Sequence, residues 1–180
     1  MFTIPGVAVD GVREVYSKNR DWERKLIGMK SRSGQDSYPE ELSRDLVYVI
    51  YGVSRSEKGF GYQVAEAMSK RGFTIFVIHP DSDRIGPWYT KRHVTELHPR
   101  PDVALLCSPA EASASILAEL HEAGVKQVVA WKDSIDEAGV EFAKKQKMAL
   151  WADCPLLHVK GMGFPHNLHK GLHDLFGSSY

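Results

Sequence analysis

Short runs of apolar residues alternate with longer, more polar segments from residue 46 onward. Each run is nearly continuous in apolar character, as expected of strands that helices cover on both faces. Alternation of such strands with helical segments is typical of βαβ units, in which neighbouring strands are parallel. The pattern predicts five parallel strands, at residues 46–51, 73–78, 103–107, 127–131 and 148–152.

Helices are predicted in the intervening segments where apolar residues recur on one face. Gly72 and Gly124 follow two of these segments, at the position where glycine commonly ends a helix. The predicted helices span residues 61–71, 110–123 and 134–147. Together these elements predict an α/β fold built on a doubly wound, five-stranded parallel sheet.

The two ends of the chain depart from this pattern. Residues 21–30 are helical in spacing but highly charged, and residues 31–40 are polar. We therefore expect residues 1–45 to form a helical extension with a linker, and residues 46–180 to form the domain, including a C-terminal helix.

Histidines are concentrated near that C-terminal helix. His169 and His173 are four residues apart, a spacing that lets two side chains share a metal ion. His158, His166 and Cys154 are further candidates, but nothing in the sequence brings Cys154 close to the histidines. Surface histidines on an amphipathic helix are the favoured interpretation, and no metal site is predicted.

Composition limits the partners of the chain. Of its 180 residues, 43% are hydrophobic and 26% charged, and 23 basic residues balance 23 acidic ones. A net charge of zero gives no general attraction to nucleic acid or to an anionic membrane, so any anion site must be local. The sequence shows no signal peptide and no membrane-spanning run, which predicts a cytoplasmic protein. Cys107, expected to be buried, and Cys154 are predicted to be free thiols.

A glycine-containing loop connects the first predicted strand to the first predicted helix. Gly52 allows a sharp turn, while Gly59 and Gly61 allow the helix to start close to a ligand. Backbone amides at a helix start attract phosphate, and nearby hydroxyl and cationic groups add to that attraction. The alternative is a structural turn with two solvated basic residues. The candidate ligand-binding residues of the loop are Gly52, Val53, Ser54, Arg55, Lys58, Gly61 and Tyr62.

The loop differs from the dinucleotide fingerprint, because Ser54 stands where that fingerprint has its second glycine. The second strand ends at His79-Pro80, and the acidic residue that would bind a ribose comes only afterwards, as Asp81. An NAD(P) site is therefore the alternative rather than the leading hypothesis.

Several motifs follow one another in a familiar order, namely Gly52-Val53-Ser54, residues 60–64, residues 77–80, residues 102–111 and Asp153-Cys154. In these motifs the chain resembles the small stand-alone CoA-binding proteins, whose domain is similar to the nucleotide-binding part of the succinyl-CoA synthetase alpha subunit. The resemblance covers roughly residues 46–154. It implies a Rossmann-like sheet with coenzyme A, or a related adenine nucleotide, across the carboxyl ends of the strands.

The resemblance also implies the surroundings of the ligand. His79 and Pro80 would lie beside the adenosine ribose, and Ser108 and Pro109 would border the pantetheine path. Two segments differ from the family: residues 106–111 lack its usual arginine, and residues 131–134 replace a common Gln-x-Gly turn.

No catalytic machinery is recognised in the chain. Neither Ser54 nor Ser108 lies in a nucleophile elbow, and the domain that supplies the synthetase's phosphorylated histidine has no counterpart. Cys154 is interpreted either as a thiol facing the CoA sulfur, able to form a mixed disulfide, or as a packed thiol. The leading hypothesis is a module that binds CoA or an acyl-CoA as carrier, sensor or regulatory subunit. The alternatives are an NAD(P)-dependent oxidoreductase or redox sensor, and an interaction scaffold; a homodimer is a further hypothesis.

Overall fold

The computed structural model of the protein describes residues 42–159. Its centre is a single sheet of seven strands, and all but one of the strand pairings are parallel. The strands are β1 (Val47–Tyr51), β2 (Thr74–Ile78), β3 (Arg84–Ile85), β4 (Trp88–Lys91), β5 (Val103–Leu106), β6 (Gln127–Ala130) and β7 (Ala149–Ala152).

The strands are arranged in the order β3-β4-β2-β1-β5-β6-β7. Strand β1 is central: Val49 lies opposite Phe76 of β2 on one side and Ala104 of β5 on the other. The five predicted strands correspond to β1, β2, β5, β6 and β7, and the Rossmann-like α/β fold is confirmed.

The prediction of five strands was incomplete, because β3 and β4 form a hairpin at one edge of the sheet. Strand β4 runs parallel to β2, with Thr90 opposite Val77, and β3 pairs antiparallel with β4. These strands are short and partly exposed, and only Ile85 and Thr90 in them are buried. An edge hairpin of this kind has no continuous apolar run, so its sequence carries little strand signal.

Within residues 42–159, three α-helices follow β1, β5 and β6: α1 (Phe60–Ser69), α2 (Ser113–Glu122) and α3 (Glu137–Lys145). The predicted start of α2 is a separate 3₁₀ turn at Ala110–Ala112, and α3 begins three residues after its predicted start, following a 3₁₀ turn at Lys132–Ser134. Gly72 and Gly124 have φ angles of 77° and 79°, which confirms that they terminate the helices before them.

Two hydrophobic clusters fill the two faces of the sheet. Because neighbouring side chains of a strand point to opposite faces, Val49 belongs to one cluster and Ile50 to the other. Helix α1 covers the Ile50 face through Val64 and Met68, whereas α2 and α3 cover the Val49 face. Helices therefore cover both sides of the sheet, as a doubly wound fold requires.

Most of the predicted N-terminal extension and the C-terminal helix, with His166, His169 and His173, lie outside the described residues. The described part begins at Leu42, which is buried and donates its amide hydrogen to the carbonyl of His158 at 2.7 Å. Within residues 42–159, every helix is too short or too polar to cross a membrane.

Candidate functional site

The parallel strands place their carboxyl ends along one edge of the sheet. The chain turns from β1 to β2 on one side and later continues from β1's other neighbour, β5, to β6 and β7. This reversal is a topological switch point, where ligands bind in open α/β sheets. The loop of residues 52–59 follows β1 and therefore lies at this point.

Gly52 brings the turn after β1 into contact with the turn after β5. Its φ angle is 84°, and a Cβ atom added there would lie 2.3 Å from both the Cys107 carbonyl carbon and the Ser108 nitrogen. Both neighbours are backbone atoms, so only glycine fits. Two segments of the predicted site thus meet at Gly52.

Helix α1 begins directly against this turn. A Cβ atom on Gly61 would lie 2.3 Å from the Gly52 carbonyl oxygen, so the first turn of the helix packs on the backbone of the loop. Gly59 is the N-cap and provides no side chain to bond the first amides. The helix therefore begins with backbone amides that could donate hydrogen bonds to a bound anion.

Ser54 and Lys58 shape the loop in different ways. The Ser54 hydroxyl donates to the carbonyl of Ser56 at 2.8 Å, closing a local turn. Lys58 is exposed, and its carbonyl accepts a hydrogen bond from the Gln63 side chain at 3.1 Å. A direct contact of either side chain with a ligand stays a prediction.

Arg55 extends away from the loop toward the segment after β2. Its Nε donates to the Ser82 hydroxyl at 2.9 Å, which ties the two carboxyl-end loops together. Among residues 42–159, its two terminal amino groups have no hydrogen-bond or ion-pair partner, and the side chain is exposed. Arg55 therefore offers two terminal amino groups as hydrogen-bond donors and an uncompensated charge at this edge.

His79 organises the turn after β2. Its Nδ1 accepts hydrogen bonds from the amides of Asp81 and Ser82, each at 3.1 Å. Burial lowers the pKa of His79 from 6.5, and the Arg55 cation lowers it further, so the imidazole is neutral at pH 7. With Nδ1 accepting, the proton of the neutral ring is on Nε2, which makes that nitrogen a donor. Pro80, next to it, is exposed.

Arg92 fixes the same turn and was missed by the sequence analysis. Its Nη1 donates to the Ser82 carbonyl at 2.9 Å, and its Nη2 pairs with the Asp83 carboxylate at 2.8 Å. It directly follows β4, the strand that the hydrophobic pattern did not reveal, so no sequence signal placed it near the site.

The end of β5 contributes a buried hydroxyl. Within the described residues, Ser108 Oγ is buried and has no hydrogen-bond partner, while Pro109 beside it is exposed. Cys107 follows β5 instead of ending it and, contrary to the expectation of full burial, is half-buried as a residue. Desolvation of its thiol, and secondarily Cys154, raise the pKa of Cys107 to about 12.

Val53 and Tyr62 belong to the hydrophobic cluster next to the loop after β1. Both are buried. The Tyr62 ring packs edge-on against Trp88 with centroids 5.0 Å apart, and a Cβ atom on Gly86 would lie 2.7 Å from the Tyr62 hydroxyl oxygen. The edge hairpin therefore rests on the first turn of α1 through these rings.

Aromatic rings also connect α1 to β6. The centroids of Phe60 and Trp131 are 4.4 Å apart, and the Lys132 ammonium is 5.9 Å from the Trp131 centroid. These two contacts involve the segment in which the sequence departs from the Gln-x-Gly turn, and they bring the start of α1 against the end of β6.

A polar group of residues follows β7. His158 Nε2 lies 3.0 Å from Asp153 Oδ2, and the Cys154 amide donates to Asp153 Oδ1 at 2.7 Å. Cys154 itself is buried, and both cysteines are free thiols. In the part of the chain that the structure describes, no group of three or more His, Cys, Asp or Glu side chains is suited to hold a metal ion.

The fold and this edge define a class of protein: a Rossmann-like α/β domain with a glycine-containing turn at the carboxyl edge of its sheet. Residues 47–160 match the family of the CoA binding domain. The match spans more than half of the chain, so the chain belongs to the CoA-binding-domain family. It supports coenzyme A as the ligand and gives no support to the NAD(P) alternative.

Solved structures share this fold. A conserved hypothetical protein from Pyrococcus furiosus aligns with a TM-score of 0.58 at 20% identity, over 62% of this chain and 97% of that chain. A hypothetical protein from Pyrococcus horikoshii OT3 aligns with a TM-score of 0.59 at 11% identity, over 70% and 96%. The dinucleotide forming acetyl-coenzyme A synthetase 1 of Ca. Korarchaeum cryptofilum, in complex with phosphate and ADP, aligns with a TM-score of 0.56 at 18% identity, over 70% and 31%. No curated protein matches the chain in sequence.

Proposed function

We propose that this protein binds coenzyme A or an acyl-CoA at the carboxyl edge of its sheet and serves as a carrier, sensor or regulatory module without catalysis of its own. The observation that carries the proposal is the glycine cradle, the turn in which backbone packs so closely around Gly52 and Gly61 that a Cβ atom on either would lie 2.3 Å from another backbone atom. A cradle of bare backbone beside a helix start suits a pyrophosphate.

Two further features fit the chemistry of coenzyme A. The buried Ser108 hydroxyl lacks a partner among the described residues, and a buried hydroxyl without a hydrogen bond is unfavourable unless a ligand or water supplies one. An amide of the pantetheine arm has both a donor and an acceptor for it. Arg55 adds uncompensated positive charge on the other side of the cradle, as a phosphorylated ligand requires.

The groups nearest the cradle favour binding over catalysis. With its pKa raised to about 12, Cys107 is a thiol at neutral pH and hence a poor nucleophile. The Nδ1 of His79 is engaged with two amides, so it is not available as a base.

Calorimetric titration of the full chain with CoA, acetyl-CoA, NAD and NADP tests the proposal. We expect CoA to bind in the micromolar range or tighter, with little response to NAD. In Gly61→Ala the new Cβ would meet the Gly52 carbonyl, so CoA binding should fall at least tenfold.

Gly72→Ala is the matched control, because Gly72 also has a special backbone conformation but no atom within 4 Å of an added Cβ. It should strain the backbone and leave affinity unchanged. Absence of CoA binding to the unmodified protein would refute the proposal. Release of free thiol from acetyl-CoA at a rate above that of buffer would refute the non-catalytic part.

A further inference from the structure

The order of the strand ends fixes the direction in which a nucleotide ligand lies at this edge. The end of β2 is on one side of β1, and the ends of β5 and then β6 are on the other. In doubly wound nucleotide-binding domains the pyrophosphate lies at the start of the first helix and the adenosine over the end of the second strand. The thiol end of coenzyme A therefore extends the other way, over β5 toward β6.

Two aromatic rings meet at the far end of this direction. Phe60 is the first residue of α1, and Trp131 directly follows β6. The Trp131 amide donates to the carbonyl of Leu106, the last residue of β5, at 2.9 Å, so the ends of β5 and β6 are adjacent. The centroids of the Phe60 and Trp131 rings are 4.4 Å apart, and the ring planes are tilted by 34°. Rings at this distance are in contact and leave no room for a ligand group between them.

The surroundings of the two rings are apolar. Phe60, Trp131 and Cys107 are each partly buried and pack against the hydrophobic cluster of the Ile50 face. The Lys132 ammonium, 5.9 Å from the Trp131 centroid, adds a cation–π contact on the same ring. The ring pair therefore joins α1 to β6 as a packed bridge beside the turn that follows β5.

We propose that Phe60 and Trp131 form a barrier at the thioester end of the site, so that the protein binds coenzyme A and acetyl-CoA and rejects acyl-CoA with a longer chain. This inference rests on the proposed binding of coenzyme A and adds to it the size of the acyl group. An octanoyl chain reaches further than an acetyl group and would have to separate the two rings, which then lose their mutual contacts. Trp131 belongs to the segment that replaces the Gln-x-Gly turn, so this selectivity is expected of this chain in particular.

Calorimetric titration of the full chain with CoA, acetyl-CoA and octanoyl-CoA tests the barrier. The unmodified protein should bind CoA and acetyl-CoA within about threefold of each other and octanoyl-CoA about tenfold more weakly or worse, as overpacking of a close-packed site implies. Trp131→Ala removes one ring and should bring octanoyl-CoA to within about threefold of CoA. Phe60→Ala removes the other ring and should act in the same direction, so either variant tests the barrier if the other does not fold.

Trp88→Ala is the matched control. Trp88 also packs against an aromatic residue of α1, Tyr62, with centroids 5.0 Å apart. It lies in the edge hairpin, on the β2 side of β1 and away from β6. The ratio of the octanoyl-CoA and CoA dissociation constants should therefore be the same in Trp88→Ala as in the unmodified protein, whatever the substitution does to stability.

The outcomes separate this inference from the function on which it rests. If the unmodified protein binds octanoyl-CoA as tightly as CoA, the barrier is refuted while coenzyme A binding stands. The barrier is also refuted if octanoyl-CoA stays weak in both Trp131→Ala and Phe60→Ala, or if Trp88→Ala relieves the selectivity as well as they do. If none of the three ligands binds to the unmodified protein, both proposals are refuted.

Discussion

His79 holds the turn after β2 only while its Nδ1 carries no proton. Both amides that point at this nitrogen are donors, so a proton there would break two hydrogen bonds at once. Burial, and after it the Arg55 cation, lowers the pKa of His79 from 6.5; Asp81 opposes this shift, and Arg92 adds a lowering effect smaller than that of Asp81. The neutral ring therefore stabilises the turn through its two hydrogen bonds to the backbone.

This lowered pKa makes the stability of the fold depend on pH in a defined direction. The unfolded chain takes up a proton near pH 6.5, whereas the folded chain does so only at lower pH. The unfolded state then binds more protons between those values, so the free energy of unfolding should fall as pH decreases from 6.5 to the folded-state pKa and should not change through His79 above 6.5.

His79→Asn is the variant that isolates this effect. An asparagine oxygen can accept from the same amides without titrating, so unfolding free energy at pH 7.5 should change little, while its decline on acidification should be shallower than in the unmodified protein. Urea unfolding at several pH values between 5 and 7.5 measures both. Identical pH profiles would show that His79 does not titrate differently in the two states.

At the scale of elements, α2 and α3 are joined through one carboxylate. Asp136 is the N-cap of α3 and accepts from the Gly139 amide at 2.8 Å; the same oxygen accepts from the Ser113 hydroxyl of α2 at 2.7 Å. Ser113 is fully buried, so this is where its hydroxyl is satisfied. The cap therefore sets the packing of both helices on the Val49 face of the sheet.

Asp136→Ala should destabilise the fold by about 2–4 kcal/mol, because it removes a helix cap and leaves a buried hydroxyl without its acceptor. Denaturant unfolding measures the loss. Asp136→Asn keeps an oxygen in the same position and should cost clearly less. Equal losses for the two variants would indicate that the negative charge, and not the acceptor oxygen, is what stabilises this junction.

The edge hairpin shows why elements differ in how readily sequence predicts them. Strands β1, β5 and β6 are covered by helices, and their continuous apolar runs predicted them to within about one residue. Strands β3 and β4 pack mainly through Ile85 and Trp88, with polar residues between. Such strands are stabilised by pairing with the edge of an existing sheet. The sequence around them does not show that edge, because it belongs to a strand elsewhere in the chain.

At the scale of the whole molecule, the candidate site is shared by turns that are far apart in the chain. The turn after β1 contacts the turn after β5 at Gly52 and the turn after β2 through Arg55. A ligand that spans them would bind only the folded state. Such a ligand stabilises a protein by mass action, in proportion to the logarithm of its concentration relative to Kd.

Saturation with CoA should therefore raise the melting temperature of the full chain. At a free concentration of one hundred times Kd the gain is about 2.7 kcal/mol. For a chain of this size that corresponds to roughly 5–10 °C. Thermal unfolding followed by circular dichroism, with NAD as the control ligand, measures the shift. If CoA and NAD shift the melting temperature equally, the stabilisation is not specific to the proposed ligand.

The sequence by itself determined the class of fold and the position of the glycine-containing turn after β1. Covered strands, amphipathic helices and the glycines at positions 52, 59 and 61 are local patterns, because burial periodicity and backbone freedom are encoded residue by residue. The match of residues 47–160 to the CoA binding domain confirms the family that the order of these motifs indicated.

Only the tertiary structure decided how the polar groups are shared among the turns. It directs Arg55 to Ser82, encloses the Ser108 hydroxyl and places Arg92 behind the turn of His79. Arg55 and Ser82 are 27 positions apart, and such contacts depend on which strand ends become neighbours in the sheet. Strand order is set by the packing of the whole chain, so these contacts have no signature in the sequence around any one residue.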